Sequence, residues 1–493
     1  MAKKITILSR SSFLAKVQTH LAAQRIKKIY KGQVEIIYSE TIGDADKTAK
    51  AWEKHGFGIF TNSLSKSLID KQCDIVIHSF KDLPVKNSIK TSFVCLERDD
   101  PRDVLLIKKK SIKQKKLSIG TSSPRRAYYL RHLKKILPFS NFHSLNIRGN
   151  ITTRLLKVLE EPKYDGLFMA KAAIDRVFKY GNEVNAQECR KFKKLFAQFE
   201  KIVLPLSEFP SAAAQGCIAL EYRSQDKTIS ALLKKINHGQ SEKDCLEERN
   251  FLGKWGGGCS LNIGVTIENI AGRRILFSRG KDFKAKKYFH EKDYLGLSKT
   301  TKVKEIFPNN LKNYQMFKRS ELALKDNLKN KNLIITRANN LAAKNLKGAK
   351  HITTSGVSTW QKVNKIGVLV NSSFDGFGEG YRPLEKHYFD IHQKPTKLTY
   401  KGNELNQNYT LTYHYELTPS INEATINNLF NATSFYWMSF SAFELALKLR
   451  PEILHLRNAC GPGNTFNEIA KIIPKNKLNV YLGYEDFKKF ELK

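Results

Sequence analysis

The sequence predicts a multidomain α/β protein, and three observations carry that expectation. Its 493 residues exceed one ordinary core, since domains run to roughly 150 residues each. Hydrophobic residues at 41% and aromatics at 11% are ample for packed cores, which sets aside disordered and fibrous classes. One unit also recurs along the chain: a short β-branched or apolar run, a polar loop carrying arginine, then a helical pattern. Such alternation argues for largely parallel sheets, whose ligands sit at the carboxyl ends of the strands.

The units follow in order. Ile5 to Leu8 reads as a strand before Ser9-Arg10-Ser11-Ser12 and a helix over Phe13 to Tyr30. Leu117 to Ile119 leads through Gly120-Thr121-Ser122-Ser123-Pro124-Arg125-Arg126 into a helix over Ala127 to Leu137. Ser144 to Ile147 precedes Arg148-Gly149-Asn150 and a helix carrying Arg154, and Tyr164 to Met169 precedes a helix carrying Arg176. Each loop meets a helix N-terminus, where free N–H groups and the dipole already favour an anion. An arginine there adds a bidentate carboxylate or phosphate clamp. One such loop would be ordinary surface; four point to a cleft for a multiply anionic small molecule.

Lys3-Lys4 and the brief Ile5 to Leu8 run do not make a secretion signal, and no stretch approaches the roughly 18 apolar residues that cross a bilayer. Seven scattered cysteines without a C-x-x-C pair suggest neither a disulfide framework nor a metal site, so a reducing cytoplasm is expected. Lys and Arg number 85 against 46 Asp and Glu, a formal net charge of +39. That charge is open to two readings, an anionic partner or a lysine-biased composition. Lys108 to Lys116 reads as a solvated loop, because no aromatics interleave its lysines.

Cys73 to Ile77 forms an apolar strand that ends in His78-Ser79-Phe80-Lys81-Asp82-Leu83-Pro84. Taken alone, Lys81-Asp82 is a surface ion pair and His78 a structural histidine. Farther on, Trp255-Gly256-Gly257-Gly258-Cys259-Ser260 sets a cysteine on a permissive backbone, either an incidental thiol or an exposed nucleophile.

Together these segments resemble the hydroxymethylbilane synthase (porphobilinogen deaminase) family over about residues 4–325. The match is ordered: His78 to Pro84, Glu97 to Asp103, Gly120 to Arg126, Arg148-Gly149-Asn150 with Thr153-Arg154-Leu155, Ala214 to Cys217 with Glu221, and Gly257-Gly258-Cys259. The resemblance implies that porphobilinogen units are joined, with loss of ammonia, onto a dipyrromethane attached to Cys259, with release of a linear tetrapyrrole. It implies Asp82 and Lys81 as catalytic residues, and Arg125, Arg126, Arg148, Lys81 and Ser122 beside the cofactor. Arg10, Ser12, Phe60, Arg148, Arg154, Arg176 and Gln215 are the implied substrate contacts. A carboxylate suits the positive charge generated as ammonia leaves, and arginines answer the acetate and propionate of each pyrrole.

The implied architecture is three hinged domains: two α/β domains like those of periplasmic binding proteins, at 4–103 plus 206–225 and at 104–205, and a smaller α+β domain at 230–322 carrying Cys259. Some positions depart from the family. Glu53 to Phe60 shifts or loses a cleft lysine, with Lys54 as the substitute, Pro124 replaces a Leu, and Ala214 and Cys217 replace Gly and Ala.

After the polar stretch Lys325 to Asn332, read as a linker, residues 333–493 resemble a shortened uroporphyrinogen-III synthase, an α/β module. The motifs are Leu333 to Arg337, Tyr415 to Thr418, Met438 to Ala442 and Cys460-Gly461-Pro462. Tyr415, Ser439 and Ser441 are its candidate site residues, and a degenerate appendage is the alternative. The expected partner is porphobilinogen alone, with no specific nucleic acid, membrane or metal, in a monomer. A basic nucleic-acid-binding protein is the rival, resting on net charge only.

Overall fold

Ile5, Ile7 and Leu8 are buried apolar residues on a run whose neighbours pair on both sides, the pattern of an interior parallel strand. They open β1 (Ile5–Arg10), followed by α1 (Phe13–Lys27) and β2 (Val34–Ser39). The computed structural model describes residues 4–39, 61–84, 88–255, 261–282, 286–297, 302–311, 314, 316–324, 327–338, 341–382, 386–388, 394–400, 408–418 and 421–492. The chain divides into two compact units, Met1–Ile267 with Leu276–Lys292 and Glu268–Ile275 with Asp293–Lys493.

The first unit holds two five-stranded sheets. One adds α2 (Asn62–Ile69), β3 (Ile75–Ser79) and β4 (Thr91–Cys95), then receives β10 (Ile218–Arg223) from far along the chain, in the order β2-β1-β3-β10-β4. β1 runs parallel to β2 and β3, whereas β10 is antiparallel to both its neighbours. The other sheet is built from β5 (Asp103–Lys108), β6 (Lys116–Gly120), β7 (Asn141–Leu145), β8 (Gly166–Ala170) and β9 (Phe199–Val203), ordered β7-β6-β8-β5-β9. Its helices are α3 (Pro124–Leu133), α4 (Ile151–Glu160), α5 (Lys171–Val184) and α6 (Ala186–Phe196). After β10 come α7 (Lys227–Lys234), α8 (Gly239–Gly253) and the strands β11 (Gly264–Ile270), β12 (Arg273–Asp282) and β13 (Lys287–Tyr294).

α3 begins three residues before the expected Ala127, because Pro124 takes its first turn, where a missing N–H costs nothing. Arg125 and Arg126 therefore belong to the helix and not to the loop before it. Lys108 is another correction. It is 2% exposed at the end of β5, with Nζ donating to Glu161 O at 3.3 Å, and burial lowers its pKa. Only the lysines after it are exposed.

In the second unit, β16 (Asn332–Ile335), β17 (His351–Thr354), β18 (Ser372–Ser373), β19 (Thr396–Tyr400) and β20 (Tyr409–Leu417) share a six-stranded sheet with β15 (Phe317–Glu321). A four-stranded sheet joins β14 (Ile306–Phe307) to β21 (Ser434–Trp437), β22 (Arg457–Cys460) and β23 (Leu478–Val480). The sequence places 306–321 with the domain ending at 322. The pairing of β14 and β15 places these strands in the sheets of the second unit, because Phe307 and Met316 bury in one core with Phe435, Trp437 and Phe443. Among the described residues no helix is long and apolar enough to cross a membrane.

One buried carboxylate ties three segments of the first unit. Glu248 on α8 is fully buried, takes Arg98 Nη1 at 2.5 Å and Nη2 at 3.0 Å, and accepts from Ala214 N at 2.7 Å and Ile267 N at 2.6 Å. Glu248→Ala strands a guanidinium whose side chain is 7% exposed, and is expected to cost on the order of 3–5 kcal/mol. The midpoint of urea unfolding reads this, and a midpoint like the parent's would contradict it.

Candidate active site

The loops that end β1, β3 and β6 and the starts of α4 and α5 open onto one cavity of about 880 Å³ in the first unit. Its wall includes Arg10, Ser12, Lys81, Asp82, Ser122, Arg125, Arg126, Arg154, Arg176 and Gln215, ten of the residues singled out from sequence. Arg148 is not among the lining side chains, although its neighbour Ile147 is. Phe60 and Cys259 lie outside the described residues, as do Lys54 and Phe57.

Lys81 and Asp82 occupy a single 3₁₀ turn, Phe80–Asp82, that directly follows β3. Phe80 is fully buried and anchors the turn, leaving the two charged side chains half-buried at the cavity. Among the described residues Asp82 has no hydrogen-bond or ion-pair partner, so its carboxylate is available to a ligand. Lys81 Nζ donates to Gln215 Oε1 at 3.4 Å. Behind the turn His78 is buried, its Nε2 2.9 Å from Glu221 Oε2, which also accepts from Ser65 Oγ at 2.7 Å. His78 is thus a structural residue.

The residue that sequence reasoning missed is Asp103, which has no exposed surface. Its Oδ2 accepts from Arg125 Nη1 at 2.7 Å, and its Oδ1 from Arg126 Nη2 at 2.8 Å and Gln215 Nε2 at 2.9 Å. Burial alone would raise its pKa, but the two guanidiniums override burial and hold the carboxyl well below the usual range. Nothing in the segment Glu97 to Asp103 marks it out from its acidic neighbours, because its partners lie about twenty and more than a hundred residues away. Asp99 is a second such case, accepting from Arg176 Nε at 2.7 Å while Arg176 Nη2 bonds Gly216 O at 2.6 Å. Gly216 (φ +90°) permits this approach, since a Cβ there would sit 2.5 Å from Asp99 O.

Among the described residues seven cationic side chains, Arg249 included, line the cavity against the one carboxylate of Asp82. Arg126 Nε and Arg154 Nε are buried without a partner, and burial beside Arg126 pushes the Arg154 pKa down to about 10. Buried donors left open in a cationic wall are what a ligand with several carboxylates would satisfy. A dipyrromethane bearing acetate and propionate groups fits that donor set.

In the second unit Tyr415 is 37% exposed on β20, its ring edge-on to Tyr400 and Tyr413. Ser439 caps the helix Phe440–Leu449, its Oγ accepting from Ala442 N at 3.2 Å, and Ser441 is exposed one residue into that helix. Tyr415 thus stands on the six-stranded sheet, whereas the serines lie at the start of a helix that follows β21 of the four-stranded sheet.

The folded-state pKa of Asp103 is depressed, so its contribution to stability is complete above the ordinary Asp value and fades as pH falls below it. Asp103→Asn is expected to be less stable than the parent at neutral pH and to lose less stability between about pH 5 and 3. Urea midpoints across that range check this; parallel curves would contradict it.

Comparison with known proteins agrees with this geometry. Residues 5–231 match the family described as porphobilinogen deaminase, dipyromethane cofactor binding domain. The porphobilinogen deaminase of Synechococcus elongatus is 32% identical over 284 residues, 56% of this chain and 81% of that protein. That of Caldicellulosiruptor saccharolyticus is 30% identical over 305 residues, 60% of this chain and 97% of that protein. The chain belongs to the porphobilinogen deaminase family.

Proposed function

We propose that the chain is a hydroxymethylbilane synthase that joins four porphobilinogen molecules, releasing ammonia, into a linear tetrapyrrole. The observation that carries this reading is the convergence of Lys81, Asp82 and five arginines from separate segments on one cavity. Each pyrrole brings two carboxylates, so a growing product accumulates negative charge. Arg10, Arg125, Arg126, Arg154 and Arg176 bind and orient those groups. The Asp82 carboxylate, unpaired among the described residues, stabilises the positive charge that develops on the pyrrole as ammonia departs, and exchanges protons during bond formation. Lys81, held by Gln215, places a further cation beside it. When bound, the dipyrromethane supplies a covalently held primer, with Cys259 as its attachment and Ser122, Arg125, Arg126 and Arg148 as its neighbours.

A second reading concerns the second unit, which we infer to be a cyclase acting on that product. It is supported by chain path: β14 lies in the four-stranded sheet, β15 to β20 in the six-stranded sheet, and β21 to β23 in the four-stranded sheet again. Two α/β lobes joined by two crossings suit the holding of a flexible chain for ring closure, which needs positioning more than acid/base groups. The unit also reaches back to Asp293, longer than the 333–493 stretch that resembles a synthase.

Intact mass of the purified protein is expected to exceed the sequence mass by a two-pyrrole adduct that Cys259→Ser lacks, together with all turnover. An unmodified Cys259 in fully active protein would overturn the assignment. The cyclase reading predicts mainly type III uroporphyrinogen from porphobilinogen, with Tyr415→Phe moving the product towards the type I isomer formed spontaneously. Isomer ratios after oxidation to porphyrins decide it, and mainly type I from the parent would refute the reading.

A further inference from the structure

The turn that presents Lys81 and Asp82 is a single 3₁₀ turn closed by one backbone bond, Leu83 N to Phe80 O at 3.3 Å. One turn of that kind holds its geometry poorly by itself. Arg249, 3% exposed on α8, reaches it from a distant part of the sequence. Its Nη1 donates to Phe80 O at 3.1 Å and Leu83 O at 3.0 Å, and its Nη2 donates to Pro84 O. The guanidinium also lies 4.7 Å from the centroid of the Phe80 ring. The three carbonyls bracket the charged pair, one before Lys81 and two after Asp82. The adjacent residue on α8 is Glu248, which fixes the helix to Arg98, Ala214 N and Ile267 N. α8 ends at Gly253, six residues before Cys259.

We propose that Arg249 is a positioning residue that locks the Phe80–Pro84 turn to α8, so that the Asp82 carboxylate keeps a fixed place in the cavity wall. This rests on the deaminase reading above. The chemistry explains the residue type: a planar guanidinium carries five donors in a rigid fork and can serve carbonyls on both sides of a turn, which an ammonium or an amide cannot. A residue acting in this way affects turnover more than binding, because the carboxylate-binding arginines stand on other elements.

The test uses the full chain with Arg249→Gln and Arg249→Lys, measuring kcat, KM for porphobilinogen and adduct mass, with near-ultraviolet circular dichroism as a check of folding. Arg249→Gln is expected to keep its adduct and a KM near the parent's while kcat falls about 10²-fold, the scale of a displacement of roughly 1 Å at a reacting group. Arg249→Lys, which keeps the stem and charge, is expected to fold and to turn over at a rate between the two. If Arg249→Gln does not fold, Arg249→Lys carries the comparison alone. Parental kcat in either folded variant overturns the proposal. So does a raised KM with kcat unchanged, since that would put Arg249 on ligand carboxylates. A parent lacking adduct and turnover would refute the deaminase reading instead.

Discussion

Burying an ion without a partner is among the costliest things a fold can do, and this fold is arranged around that constraint. Asp103 sits at its centre. Fully enclosed, it makes two buried guanidiniums tolerable at the start of α3 and holds Gln215, which in turn reaches Lys81. A chain of contacts thus runs from a strand of the second sheet to the turn at the end of β3, and the charged wall is set by backbone that is itself fixed. Glu248 does the same for α8.

The compensation is deliberately incomplete at the cavity. Asp103 and Asp99 answer Arg125, Arg126 and Arg176 from behind, yet Arg126 Nε and Arg154 Nε stay open and Asp82 stands among cations. Such a wall gives up stability relative to a fully paired one, and local conflicts of this sort are what functional sites retain. Its pre-set donors spare a polyanionic ligand the cost of ordering them.

Much of this was legible in sequence where the signal is local. The apolar runs at Ile5 and Leu333 announce strands, and the arginine-bearing loops announce the wall, because strand, loop and helix start are contiguous. Asp103, Glu248 and Arg249 were not legible, since each acts through partners remote in the chain: an acidic residue among Glu97, Asp99 and Asp100 looks like its neighbours until the fold closes. The same holds for Ile306 to Glu321. Their short polar-flanked runs gave no sign that Phe307 packs with Trp437 (ring centroids 5.7 Å apart), which only long-range packing decides.

The central place of β10 bears on how the chain comes to be folded. It lies between β3 and β4, so those two strands cannot be joined into one sheet until residue 223 has been made, some 130 residues after β4. All five strands of the second sheet, by contrast, lie within Asp103–Val203. A chain emerging from the ribosome can therefore complete its second sheet while the first still has a gap, leaving the facing edges of β3 and β4 open. Closing a loop of that length is slow and offers an aggregation-prone edge meanwhile. The insertion that brings Gln215 to Asp103 is thus also the late step on which assembly of the first sheet waits.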